Sequence, residues 1–319
     1  IRYLFIILII LLPTLSWAQD NGGQIHGDFN LNMQIYQDDD KIEATAPDEI
    51  IRNNSYLNVI YTKGLFTVGV RYESYLNALL GFSEDYKGNG ITHRFATFTK
   101  DNLQVTAGNF YEQFGRGLAF RSYEDNNLGV DNSLDGIRIK YEPMNGLYLK
   151  SFIGKSRTYF TYSDGIIRGF DTEMHLNNLL NWNQTTEIRL GGNIVSRYQK
   201  DESVNYELPQ NVGVYSGRIN LLHGRWEYYT EYAYKMNDPE GRSGIHTNNY
   251  ATGNAIISNL TYSQRGLSVS LEGHRSDHFE FRSERSTGDG REYVINYIPT
   301  LGKQHTYSLL ALYPSATQP

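Results

Sequence analysis

The chain has 319 residues, a formal net charge of −6, 26 tyrosines, 14 phenylalanines, 30 glycines and no cysteine. Without cysteine, disulfides and thiolate metal sites are excluded, and the mild acidity gives no electrostatic ground for expecting nucleic acid as a partner. With 20% charged residues the chain is too polar for a helical membrane protein, and with 13% aromatic residues it is unusually aromatic for a soluble domain.

The first element is the apolar run Tyr3–Leu12, followed by Pro13 and by Ser16-Trp17-Ala18, a small-x-small ending. A run this short does not cross a bilayer as a helix, which takes ~20 residues. Residues 1–18 are therefore expected to be a signal peptide, incomplete at its N-terminus because Ile1 stands where a Met would and only Arg2 remains of a basic region. Residues 19–319 form the exported domain.

From there the dominant signal has period two, the mark of strands with two different faces. In FTVGVRYESYL, Phe66, Val68, Val70 and Tyr72 oppose Thr67, Gly69, Arg71 and Glu73; in DGIRIKYE, Ile137, Ile139 and Tyr141 oppose Arg138, Lys140 and Glu142. Strands are read near 24–36, 53–62, 64–76, 91–99, 102–110, 135–142, 146–155, 166–178, 185–199, 212–222, 225–236, 251–263, 266–275, 291–298 and 303–312. Tight turns such as Lys100-Asp101 and His223-Gly224 alternate with long polar connections such as 37–52, 77–90, 111–134 and 200–211.

This alternation predicts an all-β protein, a transmembrane antiparallel up-and-down β-barrel with short turns at one end and long loops at the other. A soluble sandwich explains period two equally well but gives no reason for the connections to alternate. About 15 strands are visible; bacterial barrels normally have an even number, so at least 16 are expected in the complete protein, with the barrel truncated at the C-terminus.

Lipid on the apolar side assigns the opposite phase to the lumen, since an unpaired Arg or Lys facing the bilayer midplane costs roughly 2–4 kcal/mol. The expected lumen lining is Arg71, Glu73, Arg138, Lys140, Glu142, Glu187, Arg189, Arg218, Glu227, Glu231 and Glu272. Aromatic residues near strand ends, among them Tyr61, Tyr72, Tyr75, Tyr141, Tyr148, Trp182, Trp226, Tyr228, Tyr262, Tyr297 and Tyr307, are expected in interfacial girdles.

The stretch GNFYEQFGRGLAFRSYED, residues 108–125, runs from a strand into a long connection. It does not open a helix after a buried parallel strand, so a phosphate-loop reading fails on context. Glu112, Arg116, Arg121, Glu124 and Asp125, with Phe114, Phe120 and Tyr123, suit an inward-folded constriction or plug; an external loop packed on its own aromatics suits them equally.

The longer run GNFYEQFGRGLAFRSYEDNNLGVDNSLDGIRIKYEP, residues 108–143, resembles the signature region of an uncharacterised family of porin-like outer-membrane β-barrel proteins from Bacteroidota. The resemblance implies a Gram-negative outer membrane and a barrel; it carries no activity and no functional residues.

For enzymes, HRSDH is the only stretch that calls for comment. On a strand His274 and His278 would lie ~13 Å apart, and the adjacent Ser276, Asp277 and His278 point in alternate directions, so neither a metal site nor a triad forms locally. No catalytic residue, metal or cofactor is read. The function expected is passage of small hydrophilic solutes through a charged lumen, in contact with outer-membrane lipid. The alternative is a structural or assembly component whose loops bind a surface lipoprotein, glycan or secretion partner.

Overall fold

The computed structural model describes residues 22–126, 129–182, 185–201, 208–239, 250–285 and 293–297. The expected signal peptide and the strand near 303–312 lie outside the described residues.

Fifteen strands follow in chain order: β1 (Gln24–Ile35), β2 (Ile51–Lys63), β3 (Phe66–Tyr75), β4 (Gly88–Lys100), β5 (Leu103–Phe110), the short β6 (Glu124–Asp125) and β7 (Val130–Asp131), β8 (Leu134–Met144), β9 (Leu147–Thr158), β10 (Thr161–His175), β11 (Thr186–Tyr198), β12 (Asn211–His223), β13 (Trp226–Pro239), β14 (Tyr250–Gln264) and β15 (Leu267–Asp277). All but β6 and β7 form one 13-stranded antiparallel sheet in which every strand pairs with its neighbours in sequence. Such an up-and-down meander needs only hairpin connections. The turns at Gly64, Asn145-Gly146 and Gly224 supply them, with glycine φ values of +57°, +89° and +58° that favour the twist of a tight hairpin.

Two connections depart from strict alternation. At the long-loop end, β9 and β10 continue to the Thr158–Thr161 pair, leaving only Tyr159 and Phe160 between them, with an irregularity between Tyr162 and Ile166. At the turn end, β10 and β11 are joined through a short helical turn, Leu176–Leu179. The polar stretch 156–165 reads as a loop in sequence because its alternation is broken by that irregularity.

The sheet is strongly curled. Arg157 at the end of β9 reaches Glu73 on β3 at 2.6 Å, although four strand spacings, roughly 19 Å in a flat sheet, lie between these strands. Its two faces are chemically opposite. The convex face exposes Phe66, Val68 and Val70 on β3, Ile137 and Ile139 on β8, Ile153 on β9, Phe170 on β10, Ile194 on β11 and Val269 and Leu271 on β15. The concave face carries the alternate positions, and here lies the main buried cluster, including Phe110, Phe114, Leu118, Phe120, Phe152, Ile167, Val195, Val214, Ala233, Phe281 and Ile295. The outer strands β1 and β15 are exposed along nearly their whole length and do not pair with each other among the described residues.

Several expected positions shift. Tyr75 faces inward and packs with Tyr56 and Tyr86, Tyr148 lies on the concave side against His175 at 4.9 Å, and Tyr297 packs against the inner cluster. Tyr72, Tyr141, Trp182, Trp226 and Tyr228 are exposed, and Trp226 pairs with Tyr262 at 4.8 Å. The expected strand at 291–298 does not join the sheet where it is described: Ile295 donates its N–H to Phe281 O at 2.9 Å and lies inside. Period two reports a two-faced strand and not which surface covers its apolar face.

Close approach of β8 and β9 depends on Gly136, where a Cβ would stand 2.0 Å from the Ile153 carbonyl oxygen. Gly136→Val is expected to destabilise the folded protein by about 1–3 kcal/mol, read as a lower urea midpoint. Gly217→Ala, with nothing within 4 Å of the added carbon, should stay within about 0.5 kcal/mol of the parent.

Candidate functional site

The segment between β5 and β8 folds back as a hairpin across the concave face. Phe114 N–H bonds to Phe120 O at 3.1 Å and Ser122 N–H to Glu112 O at 2.9 Å, while Gly117 N–H closes the tip onto Phe114 O at 2.8 Å. Phe114, Leu118, Ala119 and Phe120 are fully buried, and the Phe114 and Phe120 rings lie 5.2 and 4.5 Å from that of Phe152 on the wall.

Glu112, at the root, is gripped by Lys140 at 2.9 Å, Lys150 at 3.0 Å and Arg138 at 3.6 Å. Arg138 also donates to Tyr111 O at 2.9 Å. The tip is held from the far wall, where the fully buried carboxylate of Glu231 on β13 accepts the Arg116 N–H at 2.8 Å and the Tyr229 hydroxyl at 2.6 Å. Arg116 lies over the Tyr229 ring at 4.2 Å. Gly115 has φ +53°, and a Cβ there would meet a Glu231 carboxylate oxygen at 2.6 Å, so this position admits only glycine without displacing the anchor. From β8 to β13 the hairpin bridges five strand spacings.

The returning arm is fixed by a buried ionic network. Arg71 on β3 bonds Glu73 at 2.8 Å, Glu124 at 2.6 Å and Asp131, and its guanidinium also reaches the Tyr111 hydroxyl at 3.2 Å. Arg157 bonds Glu73 at 2.6 Å and Asp131 at 2.6 Å. Two guanidiniums thus share three carboxylates, joining both arms of the hairpin to β3 and β9. Burial would raise the Asp131 carboxyl, but Arg157, Arg71 and the Ser133 N–H hold it below its ordinary value. Burial likewise opposes the charge on Glu112, and Lys150 with Lys140 outweighs it. Burial pushes the Tyr111 phenol well up, keeping it neutral.

A second segment, after β15, lies against the first. Ser283 N–H bonds Tyr293 O at 2.7 Å, and the strand-like pair is tied to the wall by Arg197, which donates to Arg282 O at 2.9 Å and bonds Asp238 at 2.6 Å, and by Lys235, which donates to Glu280 O at 2.7 Å. The two segments meet through Arg121 N–H to Ile295 O and Tyr297 N–H to Gly117 O, both 2.8 Å, and Asn296 donates to Leu118 O at 3.2 Å. Arg121 lies over the Tyr123 ring at 4.4 Å and faces Tyr297 at 5.5 Å.

The residues singled out in sequence therefore divide by depth. Arg71 and Glu73 are buried toward the long-loop end, and Arg218 and Glu231 are buried near mid-strand, Arg218 bonding Asp171 at 2.6 Å and Glu173 at 2.8 Å. Toward the turn end the concave face opens: Lys140 is 38% exposed, Glu187 pairs with Arg189 at 3.1 Å with both partly open, Glu142 and Glu227 are half-buried, and Glu272 is exposed. Of the hairpin residues, Glu112, Arg116, Arg121 and Glu124 make the contacts above, and half-buried Asp125 lies in the short β6.

Lys150, Asp171, Arg197 and Lys235 were missed although they occupy the same inward phase as the residues that were found. Arg157 and Asp131 carried no periodic signal. In HRSDH, His278 bonds its neighbour Asp277 at 2.6 Å, and no cluster of three potential metal ligands occurs among the described residues.

The class defined by these observations is an all-β protein built on one antiparallel meander, with an exposed apolar convex face and a charged, chain-filled concave face. The chain belongs to a family of unknown function, DUF6029, whose model matches residues 1–319. No curated protein matches it. Among solved structures it is similar to OccK2 (OpdF) of Pseudomonas aeruginosa, with 11% identity over 81% of each chain and a TM-score of 0.41. It is also similar to OccAB4 of Acinetobacter baumannii, with 10% identity over 82% of this chain and 85% of that one, TM-score 0.36. A BenF-like porin from Pseudomonas fluorescens matches with 12% identity over 79% and 92%, TM-score 0.31.

Arg157→Met leaves Glu73 and Asp131 short of a buried partner and is expected to cost about 3–5 kcal/mol; a change under 1 kcal/mol in urea unfolding would show that the network contributes little. Because the Glu112 and Asp131 carboxyls titrate below their ordinary values of 4.5 and 3.8, their stabilisation is complete above those values and is lost as pH falls further. Protease cleavage within 113–121 should thus appear only well below pH 4.5, and cleavage already at pH 6 would contradict the assignment.

Proposed function

We propose that the protein is an outer-membrane β-barrel of a Gram-negative bacterium that passes small hydrophilic solutes, with the hairpin between β5 and β8 as its constriction. The observation that carries this reading is the division of the sheet into an exposed apolar convex face and a concave face lined by charge. A soluble protein rarely leaves so much contiguous apolar surface uncovered, whereas lipid requires it. The backbone of such a wall is satisfied by strand pairing, and closure of the sheet would remove its edges.

On this reading the long connections face outward. Solute entering from the turn end meets Lys140, Glu142, Glu187, Arg189, Glu227 and Glu272, a wet lining of both signs. It then reaches the hairpin, whose root and tip are fixed to opposite walls by Glu112 and Glu231. Ordered charge around a narrow passage selects by sign and size, and the buried pairs Arg71–Glu73 and Arg218–Asp171 keep the wall rigid behind it.

Planar bilayers test the proposal. The refolded protein is expected to give discrete channels, and a variant with residues 113–121 replaced by a short Gly-Ser link should conduct severalfold more. Silent bilayers from both proteins, each showing the heat-modifiable migration of a folded barrel, would overturn solute passage.

A further inference from the structure

The convex face carries one feature that a featureless lipid-facing wall does not explain. On four consecutive strands the exposed apolar residue nearest the long-loop end is followed, at the next outward position, by a polar one: Ile137 by Asp135 on β8, Ile153 by Lys155 on β9, Phe170 by Arg168 on β10 and Ile194 by Ser196 on β11. A polar row thus interrupts the apolar band, with Ile166 and Tyr198 beyond it on β10 and β11, and two basic side chains stand in that row. In the sheet register Arg168 is opposite Ile153 while Lys155 is opposite Ile166, which makes Lys155 and Arg168 diagonal neighbours ~7–8 Å apart.

Beneath them runs a groove of about 370 Å³ lined mainly by Ile137, Ile139, Ile153, Phe170 and Ile194, with Arg168 at its mouth. The groove exists because Ser151 and Ser196, two small outward residues, lie between the larger ones. Two acids lie near: Asp135, opposite Lys155 in the register, bonds Arg94 at 3.1 Å, and Glu284 at the rim accepts the Asp164 N–H at 3.3 Å and feels the charge of Lys155. Arg168 donates to the neutral Asn211 at 2.7 Å, and neither it nor Lys155 forms an ion pair among the described residues.

From this geometry we infer that the wall formed by β8–β11 holds an anionic, phosphate-bearing lipid, with an acyl chain in the groove and its headgroup phosphate between Arg168 and Lys155. The inference rests on the membrane orientation proposed above. Charge and shape select the same ligand. A furrow with isoleucine and phenylalanine walls takes a methylene chain, and a guanidinium at its mouth gives a phosphate two parallel hydrogen bonds. A zwitterionic headgroup would bring its own cation against Arg168.

The test uses the full chain in detergent, with heat-modifiable migration as the check on folding, and native mass spectrometry to measure retained lipid. Each basic side chain beside an anionic headgroup is worth a factor of about five, so phosphatidylglycerol should be retained at least roughly tenfold better than phosphatidylcholine. Arg168→Gln with Lys155→Gln should bring the two lipids level. Ser151→Leu, which fills the groove and keeps both cations, should reduce retention of both.

Equal retention by the parent protein, a preference unchanged in the double variant, or displacement of the lipid by equimolar inorganic phosphate would overturn the site. Conductance of the same preparation is read separately. Open channels without lipid preference sink the lipid site alone, and lipid preference with silent bilayers sinks solute passage alone.

Discussion

A guanidinium withdrawn from water must be matched by carboxylates withdrawn with it, and the inner architecture depends on that requirement. Arg71 and Arg157 sit on strands that are far apart along the sheet, yet both close on Glu73 and Asp131. Each carboxylate bridges two cations, so no one of the four can leave without stranding a buried charge. The wall contributes Arg71, Glu73 and Arg157, and the hairpin contributes Asp131 and Glu124. Curvature of the sheet and position of the hairpin are consequently one property.

The same logic grades the interior from end to end. Near the long connections charges are dry and paired, as Arg197 is with Asp238 and Arg157 with Glu73. Near the turns they are partly open to solvent even where they are paired, as Lys140 is with Glu112 and Arg189 with Glu187. A single inward phase thus serves as structural cement at one end and as an aqueous lining at the other, and the change occurs where Phe114, Phe120 and Phe152 fill the concave side.

The thirteen strands of the sheet were legible because each has two unlike faces and each face leaves its imprint every second residue. Arg138 and Lys140 could be placed opposite Ile137 and Ile139 from sequence alone for that reason. Residues 293–297 show the limit. Ile295 alternates as a wall strand would, but the surface that covers it is Phe281 and the hairpin, and a periodic pattern does not name its partner. Asp131 and Arg157 were invisible for a related cause: each lies at or beyond a strand end, where pairing is decided by what the chain brings alongside. The choice between an inward and an external position for residues 108–125 turned on Glu231, far away in sequence, whose carboxylate fits the Arg116 N–H only after the sheet has curled.

The two segments that fill the concave side come from distant parts of the chain, one between β5 and β8 and the other after β15. Arg121 finds Ile295 O, and Gly117 O receives the Tyr297 N–H, only once every intervening strand has been laid down. Contacts of such large separation are slow to form because so much chain must be ordered first. The cover over Leu118 therefore requires chain from both sides of ten strands to be in place at once, so a break anywhere in the wall between β5 and β15 exposes the interior.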